Sequence, residues 1–147
     1  MLDEERKAIA RRAYDAINQK DLGLLDGHPG YWQTRQVFPM LFMAFPNLAA
    51  SVEQQTVDGE WVTTRITLRG THMGEFMGVA PTGQAIEIMQ ISLDQVAGGK
   101  LVEHFGVSDW FRALIAFGVV AAPFAVTGAT HSEQLRPPTT RAATSRR

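Results

Sequence analysis

Apolar positions along the chain recur first at helical spacing and then at every second residue. Asp3-Glu4-Glu5 precede Ile9, Ala13, Tyr14 and Ile17, a spacing that lines one face of a helix. The three acids sit where the positive end of the helix dipole favours them. Gln19-Lys20-Asp21 ends the pattern, and Leu22–Gly30 reads as a short connection containing glycine. A second helical stretch runs from Trp32 to Phe45, with Val37, Leu41 and Phe45 four apart and Phe38 and Phe42 beside them. Pro39 inside it predicts a kink or a helix that begins there, and Pro46 stops it.

From Ala49 the period is two. Ala50, Val52, Gln54 and Thr56 alternate with their neighbours, and Asp58-Gly59 is a strong hairpin signal. Val62, Thr64, Ile66 and Leu68 then share one face, with Trp61, Thr63, Arg65, Thr67 and Arg69 on the other. Gly70 to Gly83 is a loop rich in glycine and proline. A third strand follows near Ala85–Val96, and Gly98-Gly99 turns into a fourth, Lys100–Ser108. In the third strand the apolar parity shifts from Ile86 and Ile88 to Met89, Ile91 and Leu93, which predicts a bulge that bends the sheet. A short helix from Trp110 to Phe117 offers Trp110, Phe111, Leu114 and Ile115 to the core.

These elements predict one α+β domain over residues 1–122, with helices on one face of a bent antiparallel sheet of about four strands. Residues 123–147 are rich in Thr, Ala, Pro and Arg, and predict a disordered tail. Bending the sheet around the helices leaves a cavity at its open end, the expected place for a small, mostly apolar ligand.

Composition narrows the chemistry. With 14 Lys and Arg against 15 Asp and Glu, the chain offers no basic field for nucleic acid or an anionic membrane. It has no cysteine, which excludes a disulfide scaffold, a thiolate metal site and a cysteine nucleophile, and is compatible with a cytoplasmic location. The acidic N-terminus lacks the apolar core of a secretory signal, and no apolar run approaches the roughly 20 residues that cross a bilayer. His28, His72, His104 and His131 are scattered without metal-ligand spacing, so neither a metal nor another cofactor is expected. His72, beside the glycine loop, reads as a rim residue.

Acid–base groups on the inner sheet face remain. In the fourth strand Val102, His104, Gly106 and Ser108 alternate with Leu101, Glu103, Phe105 and Val107. The Gly98-Gly99 turn is expected to bring Gln90 and Ser92 onto the face of His104. A His, an amide and a hydroxyl in an apolar cavity can polarise a carbonyl and move a proton. A histidine on a half-buried strand is also a common structural residue, held by a hydrogen bond in the core or at its rim. Asp109 is a further acid, near the end of the strand. Phe42, Trp61, Phe76, Met77 and Met89 are expected to line the pocket, although the tryptophans also read as packing or interface residues and the methionines as gap fillers.

Three segments carry a resemblance. Arg65-Ile-Thr-Leu-Arg-Gly-Thr-His72, Gly74-Glu-Phe-Met-Gly-Val-Ala-Pro-Thr-Gly83 and Gly99-Lys-Leu-Val-Glu-His104 resemble the SnoaL-like polyketide cyclase family, over roughly Glu4 to Gly118. The resemblance implies the NTF2-like cone fold, a deep apolar pocket, a homodimer and cofactor-free closure of a polyketide ring by an intramolecular aldol step. The family's strand glutamine matches Gln90 and its strand histidine matches His104. Ser92 stands where cyclases can carry a second histidine, and Gly106 where the aldol cyclases place their acid–base aspartate. The stretch Leu22–Tyr31 is shorter than its counterpart. Two other readings stay open: a binding module without catalysis, and a hydrolase or isomerase of the epoxide-hydrolase or ketosteroid-isomerase type.

Overall fold

A computed structural model of the chain describes residues 1–122, so the tail expected from 123 onward lies outside the described residues. The first helix, α1 (Asp3–Gln19), turns Ala10, Ala13, Tyr14, Ala16 and Ile17 inward. The three alanines of this inward face let the backbone sit close to the sheet. Lys20, in the left-handed conformation at φ 53°, ends α1 and donates from Nζ to the carbonyl of Leu48. Asn18 ties the same end down by exchanging two hydrogen bonds with the Ala50 backbone, at 2.8 and 2.9 Å.

The connection after α1 forms two 3-10 turns, Leu22–Leu25 and Pro29–Tyr31, which lead directly into α2 (Trp32–Ala44). Pro39 neither starts nor ends α2. It removes a single ladder bond, to the carbonyl of Arg35 in the first helical turn, and the rest of the ladder carries the helix through.

Strands β1 (Ala49–Asp58), β2 (Trp61–Thr71), β3 (Ala85–Ala97) and β4 (Lys100–Ser108) form one antiparallel sheet in the order β1-β2-β3-β4, curved and unclosed. Val62, Thr64, Ile66 and Leu68 all face inward and are buried, as their alternation predicts. The bulge expected in the third strand is absent, because β2 and β3 keep one register from Trp61↔Gln95 to Thr71↔Ala85. What changes along β3 is the character of its faces. Ile86 and Ile88 point inward, then Gln90, Ser92 and Asp94 continue that inner row, while Met89, Ile91 and Leu93 point outward.

The irregularities fall instead in the two edge strands, where bulges are most readily accommodated. In β1 the extra residue is Glu53, so Gln55 and Val57 face inward beyond it, rather than Gln54 and Thr56. In β4 it is Val102. The hairpin pairs Val96 with Leu101, and after the shift Gln95 pairs with Glu103 and Asp94 with His104. Leu101 and His104 therefore share the inner face, which strict alternation forbids. An unbroken hairpin would pair Asp94 with Glu103 and turn His104 outward.

The second 3-10 turn rests against this bulge. A Cβ on Gly30 would lie 2.6 Å from Leu101 Cδ2, 2.7 Å from Glu103 N and 2.8 Å from Val102 C, so only glycine allows the approach. Tyr31, fully buried beside it, brings its ring centroid to 5.5 Å from that of His104. The last helix, α3 (Trp110–Ala116), packs back over β3 and presents Trp110 to Phe45 and Phe76. His72 is not a rim residue. It is fully buried, stacked on Phe117 at 4.0 Å between centroids, because its place just past the end of β2 continues the inner row of Leu68 and Gly70. Among the described residues no helix is long and apolar enough to cross a membrane.

Candidate active site on the inner sheet face

The inward half of β3 supplies Gln90, Ser92 and Asp94, and the bulged half of β4 supplies His104, Gly106 and Ser108 opposite them. Asp94 is fully buried. Burial pushes its carboxyl above the usual pKa, and hydrogen bonds from His104 and Ser92 pull the other way. His104 Nδ1 lies 2.5 Å from Asp94 Oδ1, and Ser92 Oγ donates to Asp94 Oδ2 at 3.2 Å. Ser92 Oγ in turn accepts from the Tyr14 hydroxyl at 2.6 Å. The directions follow from the carboxylate, which only accepts: Tyr14 donates to Ser92, Ser92 to Asp94, and His104 Nδ1–H to Asp94. Burial holds the hydroxyls of Tyr14 and Tyr31 well above the ordinary tyrosine pKa, so both stay protonated donors.

With Nδ1–H given to Asp94, Nε2 is the ring nitrogen of His104 left outside this hydrogen-bond chain. Its position is defined by Gly106. A Cβ built there would stand 3.3 Å from His104 Nε2 and 3.4 Å from Gln90 Nε2. The Gln90 amide is oriented by Ser108, whose Oγ donates to Gln90 Oε1 at 2.9 Å, so the NH2 group faces the notch. An atom seated over Gly106 thus meets the His104 ring nitrogen on one side and the Gln90 amide on the other. The His104 side chain remains 14 % exposed, so the notch is in contact with solvent.

Of the residues expected from the sequence, His104, Gln90 and Ser92 come together here. Asp109 does not: its carboxylate caps α3, accepting from the Arg112 N–H at 3.2 Å. Trp61 and Met89 lie on the outer face, Trp61 stacked on Phe105 at 6.4 Å, because their odd positions point away from the helices. Met77 is exposed at the tip of its loop. Phe42 and Phe76 pack on the edge of the core, Phe42 near Phe38 and Phe76 against Phe45. Two surface cavities, about 430 and 480 Å³, are lined by Leu25–Pro29 with Trp32, Arg35 and Lys100, and by Asn47, Arg69 and Glu87 with their neighbours. Neither includes His104, Gln90 or Gly106. Asp94, Tyr14 and Tyr31 were not among the expected site residues. The signal for Asp94 was its place two and four residues beyond Ser92 and Gln90 on one strand face.

Comparison with known proteins agrees with this fold. The profile of the SnoaL-like polyketide cyclase family matches residues 5–114. Aklanonic acid methyl ester cyclase AcmA of Streptomyces galilaeus is 41% identical over 51 residues, 35% of this chain and 33% of AcmA. The corresponding cyclase DnrD of Streptomyces peucetius is 34% identical over 53 residues, 36% of this chain and 34% of DnrD. The chain thus aligns with about a third of the length of these curated relatives. Among solved structures, AclR of Streptomyces galilaeus superposes with a TM-score of 0.75 at 29% identity, covering 82% of this chain and 85% of AclR. IdmH of Streptomyces antibioticus does so with a TM-score of 0.67 at 29% identity, covering 78% of this chain and 99% of IdmH. With its NTF2-like cone and a profile match over most of its length, the chain belongs to the SnoaL-like polyketide cyclase family.

Proposed function

We propose that the protein is a cofactor-independent cyclase that closes a ring in a small, mostly apolar carbonyl compound, with His104 as its acid–base group. One observation carries this: His104 Nε2 and the Gln90 amide flank the same notch, each within hydrogen-bond reach of an atom placed over Gly106. His104 Nε2 takes a proton from the carbon beside a substrate carbonyl, and the resulting enolate oxygen accepts a hydrogen bond from Gln90. The enolate carbon attacks a second carbonyl of the same molecule, forming the ring bond. The alkoxide so formed takes the proton back from the His104 imidazolium. Asp94 supports the step by holding the ring through Nδ1–H and by facing the positive charge that develops.

The family's aldol cyclases carry an aspartate where Gly106 stands, so this chain would work through a buried Asp–His pair instead of an exposed carboxylate. The relatives named for aklanonic acid methyl ester suggest an esterified polyketide as substrate class. The missing side chain at 106 and the buried Tyr31 favour a second reading, in which the notch holds a ligand without turnover. The two separate in one assay. Purified protein and its His104→Ala variant are incubated with aromatic polyketide esters, and cyclised product is followed by chromatography. Turnover that falls by about 10²-fold or more in the variant supports the mechanism. Equal turnover removes His104, and ligand-induced thermal stabilisation without product establishes the binding module.

The outer sheet face supports a homodimer. Ile91 and Leu93 on β3 stand directly opposite Val107 and Phe105 on β4, all four exposed, with Trp61 stacked on Phe105. A contiguous apolar patch of this kind is unusual on a monomer. A second copy meeting it face to face would bury it on both partners.

A further inference from the structure

A cavity of about 430 Å³ opens beside the 3-10 turns, away from the notch over Gly106. Leu25, Gly27, Pro29 and the indole of Trp32 form its apolar wall, and His28, Arg35 and Lys100 supply cations and donors. His28 is 9% exposed, and its Nδ1 accepts the Leu101 N–H at 3.0 Å. That bond requires Nδ1 to be unprotonated, so the ring is neutral and carries its proton on Nε2. Nε2–H has no acceptor among the described residues. Lys100 has no ion-pair partner among them either, while Arg35 is braced by Asp26 at 2.8 Å and by the Leu22 carbonyl at 3.3 Å. Burial and the charges of Arg12 and Lys100 hold the His28 pKa below the usual histidine value, in keeping with a neutral ring. Among the described residues lining the cavity, only Asp26 offsets the charges of Arg35 and Lys100.

We propose that this cavity binds a small planar carboxylate, its anionic group held by Lys100 and the His28 Nε2–H and its ring laid along Trp32. The charge follows from the uncompensated cation and the unpaired donor, which a carboxylate satisfies together. The planar part follows from the exposed indole, whose face takes a flat apolar group. This site is separate from the His104 notch and does not depend on the mechanism proposed for it: Tyr31 stands between them, 6.1 Å from the His28 ring and 5.5 Å from the His104 ring.

The test titrates the full chain with salicylate, with the neutral benzamide and with inorganic phosphate, following the Trp32 indole N–H by NMR, assigned through Trp32→Phe. Salicylate is expected to shift that resonance saturably, with benzamide and phosphate at least tenfold weaker. Lys100→Gln is expected to weaken salicylate roughly tenfold, and Lys100→Arg, which keeps the charge, to retain it. Benzamide binding as well as salicylate would overturn the anionic half of the proposal, and phosphate doing so would overturn the planar half. No saturable shift, or unchanged affinity in Lys100→Gln, would overturn the site itself.

Discussion

Gly30→Ala isolates the contact on which the geometry of the site depends. The new methyl carbon would stand 2.6, 2.7 and 2.8 Å from three atoms of β4, where ordinary contact begins near 3.4 Å. Two of those atoms are backbone, at Glu103 and Val102, and cannot rotate aside. The 3-10 turn must therefore lift from the bulge by several tenths of an ångström. Overpacking of this kind costs about 1–3 kcal/mol, and with backbone on both sides the upper part of that range applies. For a domain of this size each kcal/mol lowers Tm by roughly 3 °C, so a loss of about 6–9 °C is expected in a thermal melt followed by circular dichroism. Gly27→Ala is the internal control. Gly27 sits at φ +77° with nothing within 4 Å of its added Cβ, so it carries only the left-handed strain, about 1–2 kcal/mol. Lifting the turn also draws Tyr31 from His104, so Gly30→Ala should shift the His104 ring resonances while Gly27→Ala leaves them in place. A Gly30→Ala protein as stable as Gly27→Ala, with His104 undisturbed, would refute the packing argument.

Two further predictions follow from buried charge and exposed surface. The folded-state pKa of Asp94 is raised, chiefly by burial, with His104 on β4, Ser92 on β3 and Tyr14 on α1 facing it. Its stabilising share is therefore complete below the unfolded carboxylate pKa of about 4 and is lost as pH rises through the raised value. Asp94→Asn has no such titration. In urea unfolding, its stability relative to the wild type should climb across that window and then level, and a flat or falling difference would contradict the burial argument. Phe105→Lys places a charge at the centre of the outer-face patch. Light scattering should give the wild type twice the chain mass and the variant the chain mass, and a monomeric wild type would remove the dimer.

Local chemistry along the chain determined the elements themselves. Helical spacing around Tyr14 and Phe38, two glycine turns, and alternation through Val62–Leu68 specified an antiparallel sheet with helices on one face. Gln90, Ser92 and His104 were named for carrying polar chemistry where a strand should be half-buried. Their common face was expected from the Gly98-Gly99 turn, yet it arises only through the register shift, because an unbroken hairpin counted back from that turn puts Asp94 opposite Glu103. Trp61 and Met89 were misplaced for a different reason: an apolar side chain on a strand does not reveal which face the helices cover. One extra residue at Val102 reverses the parity of β4, and Gly30, some seventy positions earlier, packs against it. Periodicity is a property of neighbours in sequence, whereas a one-residue slip in register is stabilised by neighbours in space, and only the folded molecule brings those together.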